Sequence, residues 1–250
     1  MYKIPANLGF TSNLVYYLPS CHSTNEVAAS LLANGLDEGA IVITDNQTNG
    51  VGQRGNSWQS SPGLNLTFSL ILKPKFLPVS KQFLLTQVVS VAIIQVLQTY
   101  VAKQVKIKWP NDIYIGNDKI GGILIQNTVK GKEIENSIVG IGCNVNQLDF
   151  DNLVASSINK IIGKPIELNV ILGEILTSIY ESYAQLKKGN KAEIEKEYFA
   201  SLLALNEIKT FVSDKEFKGK IIGTDPLGRL LIETNEGVKC FQNQEVKLII

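Results

Sequence analysis

One short segment of the chain combines the residue types that bind anions. The sequence NGVGQRGNSW (49–58) holds three glycines, an arginine and a tryptophan, although the whole chain has only two arginines and two tryptophans. Gly50, Gly52 and Gly55 let the backbone approach an anion, and successive backbone N–H groups can then bind it. The guanidinium group of Arg54 can add a two-point contact to a phosphate or a carboxylate. An ordinary glycine loop fits this segment equally well, so the segment alone does not show whether it binds an anion.

The familiar phosphate-binding and hydrolase motifs do not account for this loop. No GxxxxGK[ST] is present, and the GxGxxG at 50–55 is followed by NSWQSSPG instead of the apolar start of a helix. A P-loop and a dinucleotide-binding fold are therefore disfavoured. There is no GxSxG or HExxH, and His22 is the only histidine, so neither a hydrolase triad nor a zinc site has support.

A second segment, KWPNDIYIGNDKIGGILIQN (108–127), offers a carboxylate and a lysine. Asn111 and Asp112 fall at a turn, where their side chains can point into a cleft. Lys119 precedes two glycines (121–122) in a predicted strand, and glycines there often mark close approach by a ligand. A plain hairpin with a solvated lysine is the simpler interpretation of Lys119 taken alone.

Two further segments place amides and hydroxyls at the ends of predicted elements. GIGCNVNQ (140–147) ends a strand with Asn144, and CHSTN (21–25) puts three small polar side chains at a helix N-terminus. Ser23 followed by Glu26 predicts a capping box there. Lysine, arginine and backbone donors acting on an anion are typical of nucleotidyl or phosphoryl transfer, in which positioning and charge stabilisation do most of the catalysis.

These segments need a scaffold, and the hydrophobic pattern predicts an α+β domain followed by a small all-β domain. The predicted division is 1–205 and 206–250. The predicted elements are strands at 14–18, 40–47 and 64–72, helices at 24–34, 81–100, 168–187 and 191–204, a β-rich stretch at 105–146, and about five short strands after Leu205.

Composition excludes several classes of protein. A net charge of +1 over 250 residues gives no case for DNA binding. The three cysteines are far apart and form no CxxC, which favours reduced thiols in a cytoplasm. We find no signal peptide and no apolar run long enough to span a membrane, so we expect a cytoplasmic protein without a membrane partner.

The motifs STN, QTNGVGQRGNSWQSSPGLNL, KWPND, KIGGIL and GIGCNVN occur in the order and approximate spacing of biotin protein ligases, and the sequence resembles that family over about 23–146. The resemblance implies a class II synthetase-like catalytic domain, with a mixed sheet and packed helices, and a small C-terminal SH3-like β-barrel. It also indicates the short form of the family, because only 22 residues precede STN, too few for a DNA-binding domain.

The resemblance implies a reaction with ATP and Mg²⁺. Biotin attacks the α-phosphate of ATP to give biotinyl-5′-AMP, and the biotinyl group then passes to a lysine of a biotin carboxyl carrier protein or domain. By similarity, the catalytic residues are Lys119 and Arg54. The implied biotin-binding residues are Ser23, Thr24, Asn25, Gln47, Gly50, Gly52, Lys119, Gly121 and Gly122. The implied adenylate-binding residues are Gln53, Arg54, Gly55, Trp58, Asn111, Asp112 and Asn144. Metal ligands are not identified, and a homodimer is left open.

One position departs from the family pattern, and two alternatives remain. Val51 stands where many members of the family have an arginine, which predicts weaker retention of the adenylate unless another lysine compensates. The alternatives are a lipoate- or octanoate-handling ligase or transferase of the same architecture and a non-catalytic sensor of biotin or its adenylate. The role of the C-terminal module is also open: covering the nucleotide, docking the carrier and structural support all fit.

Overall fold

Two β-sheets organise the chain. The computed structural model describes residues 14–151 and 153–249, with the side chain of Arg54 outside the described part. A seven-stranded mixed sheet carries helices on both faces, and a separate five-stranded antiparallel sheet follows near the C-terminus. The predicted α+β class with a mixed sheet and a small C-terminal β domain is confirmed.

The first sheet has the strand order β1-β2-β3-β7-β6-β5-β4. β1 and β2 run parallel because helix α1 connects them, and the other neighbouring strands are antiparallel. The β-rich stretch predicted at 105–146 forms the four strands β4 to β7. The bounds are β1 Val15–Cys21, β2 Ile41–Gln47, β3 Leu66–Leu72, β4 Val105–Lys108, β5 Asp112–Ile115, β6 Asp118–Lys130 and β7 Glu133–Cys143.

The helices cover the two faces of this sheet unequally. Ile41 and Ile43 of β2 point into the main core with α2, α4 and α5, whereas Val42 points to the opposite face and packs with α1. This alternation follows from the two-residue period of a strand. The bounds are α1 Thr24–Ala33, α2 Phe83–Tyr100, α3 Ile158–Ile162, α4 Leu168–Lys187 and α5 Lys191–Ala200.

Helix α2 is the central element of the main core. Within the described residues, the segment Val79–Tyr100 is the one helical stretch long and apolar enough to cross a membrane by length and composition, and 67% of its apolar 18-residue window is buried inside the fold. Its apolar surface packs against α4, α5 and the sheet.

The second sheet has the order β11-β10-β9-β8-β12. Phe211, Ile221, Leu230 and Ile232 from this sheet are almost fully buried and belong to the same apolar cluster as the first domain. The small sheet is therefore packed against the large one. Its strands are β8 Ile208–Val212, β9 Glu216–Thr224, β10 Leu230–Thr234, β11 Gly237–Phe241 and β12 Lys247–Leu248.

The observed helices differ from the predicted ones at two places. Helix α3 has only five residues, too short for hydrophobic periodicity to reveal. Helix α5 ends at Ala200 and not at 204, because the chain beyond it pairs with the edge strand β4. Ile107 donates its N–H to the Ser201 carbonyl (2.9 Å), and Leu203 donates to the Ile107 carbonyl (2.8 Å).

Candidate functional site

A cavity of about 380 Å³ lies between the two sheets. Its walls come from the N-terminus of α1, the glycine segment after β2, the strands β5 to β7 and the C-terminal domain. Binding sites for small molecules are concave and largely apolar, with a few convergent polar groups that fix the ligand. The cavity brings together most of the side chains that the sequence motifs single out.

One end of the cavity is lined by uncharged polar side chains that hold each other in place. Gln47 Oε1 accepts hydrogen bonds from the Thr24 backbone N–H (2.8 Å) and the Thr24 hydroxyl (3.2 Å). The Ser69 hydroxyl donates to Asn25 Oδ1 (2.6 Å) and lies 2.8 Å from the Thr24 hydroxyl oxygen. Asn25 Nδ2 donates to Gln126 Oε1 at 2.8 Å. Such an ordered array of amides and hydroxyls suits a neutral ligand that has both donors and acceptors.

Ser23 is the N-cap residue of α1, but its side chain makes no capping hydrogen bond, so the predicted capping box with Glu26 is wrong. The side chain of Gln47 accepts a hydrogen bond from the N–H of Thr24, the first residue of the helix. The Val27 N–H closes the first turn on the Ser23 carbonyl at 3.1 Å. Because β2 ends beside the start of α1, Gln47 satisfies a helix donor and leaves the side chain of Ser23 on the cavity wall.

A positive charge marks another part of the cavity. Lys119 Nζ lies 2.7 Å from Asp112 Oδ1 and 5.8 Å from the centroid of the Trp58 ring. The antiparallel pairing of β5 with β6 brings Asp112 opposite Gly122 and so places the carboxylate beside the lysine strand. The Lys119 side chain keeps 31% of its surface exposed, so its ammonium group can still meet an anionic ligand.

The turn between β4 and β5 is attached to two distant parts of the chain. Its Trp109–Pro110 peptide is cis. Trp109 Nε1 donates to the Gly228 carbonyl of the C-terminal domain at 2.8 Å. The Pro110 carbonyl accepts a hydrogen bond from the hydroxyl of the buried Tyr198 in α5 at 3.1 Å. The position of this turn on the cavity wall is therefore set from both domains.

Asn111 and Asp112, next in the chain, have different roles in the structure. Asn111 Nδ2 donates to the Ile123 carbonyl, and the Ile123 N–H donates to the Asn111 carbonyl at 3.1 Å. The amide of Asn111 is thus occupied in tying the turn to β6, while Asp112 supplies a carboxylate on the cavity wall. Residues 14–151 and 153–249 contain no group of three or more His, Cys, Asp or Glu side chains placed to hold a metal ion.

The glycine segment forms a small hairpin over the cavity. Trp58 donates its N–H to the Gly50 carbonyl (2.9 Å), and Gly52 donates to the Asn56 carbonyl (2.7 Å). A Cβ at Gly50 would overlap the Trp58 carbonyl oxygen, and Gly55 has a φ of +86°, so both positions require glycine. The interpretation as an ordinary glycine loop is too simple, since backbone hydrogen bonds hold the base of this hairpin.

The C-terminal domain supplies a whole wall of the cavity, a role that the sequence left open. Phe211, Ile221 and Leu230 give it an apolar surface. The turn between β11 and β12 adds polar atoms at the rim. The lining residues from this domain are Phe211, Ile221, Leu230, Asn243, Gln244, Val246, Lys247 and Leu248. Because these residues follow no recognisable motif, the sequence did not reveal them.

Lysines surround the charged part of the cavity. Burial lowers the pKa of Lys108, the carboxylate of Asp112 opposes this shift, and the positive charges of Lys247 and Lys119 lower that pKa further. All four side chains line the cavity. Three lysines against one carboxylate leave an excess of positive charge, which favours a polyanionic ligand.

Most of the predicted site residues line this single cavity. They are Ser23, Thr24, Asn25, Gln47, Gly52, Gln53, Trp58, Asn111, Asp112, Lys119 and Gly122. Four others do not line it: Gly50, Gly55, Gly121 and Asn144. The side chain of Arg54 lies outside the described residues, and its backbone forms part of the short 3-10 turn Gln53–Gly55.

Asn144 and Gly121 lie behind the wall of the cavity. Asn144 is buried and donates its side-chain amide to the Ser156 carbonyl at 3.1 Å. A Cβ at Gly121 would come within 2.9 Å of the Gly142 carbonyl, so this glycine allows close packing of β6 against β7. Gly122, on the opposite face of β6, is the member of the pair that borders the cavity.

Sequence reasoning missed several contributors to the site. Ser69 is a hydroxyl in a completely buried strand, LTFSLIL, and a polar residue in such a strand is a usable signal. Gln126 has no comparable signal, since the end of its strand, QNTVK, is mostly polar. Lys108 stands at the head of KWPND and could have been included with it.

The segment that carries most of these site residues also matches a known protein family. Residues 17–144, from β1 to β7, match the model of the biotin/lipoate A/B protein ligase family. The chain is 33% identical over 232 residues to the bifunctional ligase/repressor BirA of Bacillus subtilis, covering 90% of this chain and 71% of that protein. It is 28% identical over 233 residues to the biotin–[acetyl-CoA-carboxylase] ligase of Paracoccus denitrificans, covering 90% of this chain and 96% of that protein.

The fold agrees with these relatives. The biotin protein ligase of Aquifex aeolicus, solved in complex with biotin and ATP, superposes with a TM-score of 0.80 at 27% identity and covers 95% of this chain and 99% of that chain. The match includes the C-terminal β domain, since only a twentieth of this chain remains outside it. The chain is therefore an enzyme of the ligase class and belongs to the biotin/lipoate A/B protein ligase family.

Proposed function

We propose that this ligase activates biotin with ATP and transfers it to a lysine of a biotin carboxyl carrier protein or carrier domain. The observation that carries the proposal is that one cavity joins an uncharged polar pocket to the ammonium group of Lys119. Biotin has the matching chemistry, a neutral ureido ring at one end and a carboxylate at the other. The relatives named as biotin ligases and the solved complex with biotin and ATP support the same assignment.

The polar pocket at α1 is the proposed site of the ureido ring. Thr24, Asn25 and Gln47 are held by hydrogen bonds to each other, to Ser69 and to Gln126, so they are ordered before a ligand arrives. A preorganised pocket loses little conformational entropy on binding. Ser23, whose side chain is not used as a helix cap, adds a hydroxyl to the same wall.

Lys119 is the proposed catalytic residue of the first half-reaction. A carboxylate oxygen of biotin forms a bond to the α-phosphorus of ATP, and the bond from that phosphorus to the bridging oxygen of pyrophosphate breaks. Negative charge accumulates around the phosphorus as this happens, and a nearby ammonium group stabilises it. Arg54, by similarity to the family, and Lys108, by its place on the wall, would add positive charge.

In the second half-reaction, the mixed anhydride must be protected from hydrolysis by water. The ε-amine of the acceptor lysine attacks the carbonyl carbon of biotinyl-5′-AMP, AMP leaves with the bonding electron pair, and the amine loses a proton. The glycine hairpin and the C-terminal domain close two sides of the cavity and would exclude water from the adenylate. We propose 1–205 as the catalytic domain and 206–250 as the domain that completes its site.

The residues of the cavity fit a magnesium ion that arrives with ATP. Mg²⁺ usually takes one or two carboxylates and fills its other positions with phosphate oxygens and water. Asp112, on the wall of the cavity, is the carboxylate that would hold it. When bound, the ion would neutralise charge on the phosphates.

Labelling of a carrier domain tests the proposal. The purified protein is incubated with biotin, MgATP and a carrier domain, and the product is probed with streptavidin. We expect labelling by the wild-type protein and by Lys132→Ala, which removes an exposed lysine of the β6–β7 hairpin that does not line the cavity, and loss of labelling in Lys119→Ala. An unlabelled carrier with the wild-type protein would contradict the ligase assignment. Equal labelling by Lys119→Ala would contradict the role of Lys119.

Two alternatives are separated by binding and exchange experiments. A lipoate- or octanoate-handling enzyme would bind lipoate in preference to biotin, and the family model covers both classes. A non-catalytic sensor would bind biotin but show no exchange of pyrophosphate into ATP. We expect biotin to bind more tightly than lipoate and biotin-dependent exchange to occur, since the pocket at α1 is polar and uncharged and Lys119 faces the same cavity.

A further inference from the structure

The base and the tip of the glycine hairpin are held in different ways. Two backbone hydrogen bonds fix the base, between Trp58 and Gly50 and between Gly52 and Asn56. The tip is the 3-10 turn Gln53–Gly55, which carries only one local backbone hydrogen bond at its end. Beyond the hairpin, Gln53 Oε1 accepts a hydrogen bond from the Nδ2 of Asn243 in the C-terminal domain.

Asn243 is presented by a rigid turn. It lies between β11 and β12, where the Gln242 N–H donates to Glu245 Oε2 at 2.6 Å and the Glu245 N–H donates to the Gln242 carbonyl at 3.1 Å. The strand that follows this turn, β12, is paired with β8. A side chain on such a turn loses little freedom when it forms a hydrogen bond, so it can position its partner effectively.

We propose that Asn243 is a positioning residue that latches the tip of the glycine hairpin over the cavity. Both Gln53 and Asn243 line the cavity, one from each domain, so their hydrogen bond closes the rim between the hairpin and the C-terminal wall. The purpose that we assign to the latch, retention of the adenylate, rests on the proposed function. The hydrogen bond itself forms in the protein without a ligand.

Cleavage by an arginine-specific protease tests the latch without any ligand. The chain has two arginines, so the protease has one target in the hairpin tip, after Arg54, and a second in the C-terminal domain, after Arg229. When opening is fast, cleavage reports the population of the open form. We expect Asn243→Ala to speed cleavage after Arg54 about fivefold, the effect of one net hydrogen bond, and to leave cleavage after Arg229 unchanged.

Matched variants separate the latch from general loosening. Gln242→Ala removes an exposed amide one residue away that does not line the cavity, and it should leave both cleavage rates unchanged. Asn243→Asp should restore slow cleavage, because its carboxylate can accept a hydrogen bond from the amide of Gln53. The double variant Gln53→Ala/Asn243→Ala should be cleaved no faster than Asn243→Ala alone, since Asn243→Ala already removes the hydrogen bond that Gln53→Ala would break.

Two results would overturn the inference: unchanged cleavage after Arg54 in Asn243→Ala, or equal acceleration at both arginines. A second readout concerns the purpose of the latch. Asn243→Ala should release preformed biotinyl-5′-AMP about fivefold faster than the wild-type protein. If the wild-type protein forms no adenylate, the proposed function fails, while the cleavage experiment still decides whether the latch exists.

Discussion

Gly140 and Gly142 lie on the same face of β7 and allow the most specific prediction. A Cβ at Gly140 would overlap Asn25 Oδ1, in the polar pocket at α1. A Cβ at Gly142 would lie 2.5 Å from Cζ2 and 2.8 Å from Cδ2 of the Trp58 ring, at the base of the glycine hairpin. The same added methyl group therefore disturbs two different ends of the cavity. We expect Gly140→Ala to impair biotin binding and Gly142→Ala to impair ATP binding.

The loss of binding or stability in each variant depends on how far the displaced side chain can move without breaking other contacts. Carbon atoms make ordinary contact at about 3.5–4.0 Å, so the Trp58 ring must move by about 1 Å, which changes the shape of the cavity that it lines. The cost then falls mainly on ligand binding, which needs that space. Overpacking costs about 1–3 kcal/mol, which corresponds to an increase of about five- to 150-fold in KM for ATP.

Asn25 has less freedom than Trp58. It is 6% exposed and bonds to both Ser69 and Gln126, so displacing it breaks hydrogen bonds between buried groups. We therefore expect Gly140→Ala to lower the free energy of unfolding by about 1–3 kcal/mol and also to raise KM for biotin, whereas Gly142→Ala should lower stability less.

Steady-state kinetics with each substrate in turn, together with thermal denaturation, measure these effects. The reasoning is refuted if both variants raise the two KM values in the same proportion, or if neither KM changes. A double variant supplies the control. Replacing Trp58 by Ala in the Gly142→Ala background removes the overlap, so the methyl group should add no further loss of stability beyond that of Trp58→Ala alone.

Two other predictions concern single side chains. Burial lowers the pKa of Lys108, so as the pH rises Lys108 loses its charge before an ordinary lysine, whose pKa is about 10.4, and KM for ATP should rise in the alkaline range below that value. Lys108→Arg keeps its charge in this range and should flatten the profile, and an unchanged profile would refute the role of Lys108. The Ser90 hydroxyl in α2 is buried without a hydrogen-bond partner, so Ser90→Ala should raise the free energy of unfolding by about 1 kcal/mol, measured by urea denaturation. A loss of stability in that variant would show that the hydroxyl is satisfied.

The capping box shows where local sequence reasoning fails. Ser23 and Glu26 have the right spacing, yet the Ser23 side chain makes no capping hydrogen bond, and one donor of the first turn, the Thr24 N–H, bonds to Gln47, which is more than twenty residues away in the chain. The end of β2 lies beside the start of α1 only because β1 and β2 pair in parallel. A motif three residues long carries no information about that neighbour, and the same holds for the contact between Gln53 and Asn243.

Asn144 and Lys108 show that local sequence also does not reveal which side chains face the cavity. Both lie in predicted segments, but Asn144 points behind the wall, toward the Ser156 carbonyl, while Lys108 faces the cavity. Which face of a strand or turn borders the cavity depends on register and packing. Side chains on neighbouring residues can therefore lie on opposite sides of the same wall.

The sequence by itself determined the α+β class, most of the helices and strands, the family resemblance and the segments that carry the chemistry. Hydrophobic periods, glycines and short polar motifs are local properties, so a single chain displays them. Only the tertiary structure decided which of those side chains share the cavity, that Asn111 is tied to β6, and that the C-terminal domain forms a wall. These outcomes depend on contacts between residues up to 190 positions apart, and no local pattern encodes them.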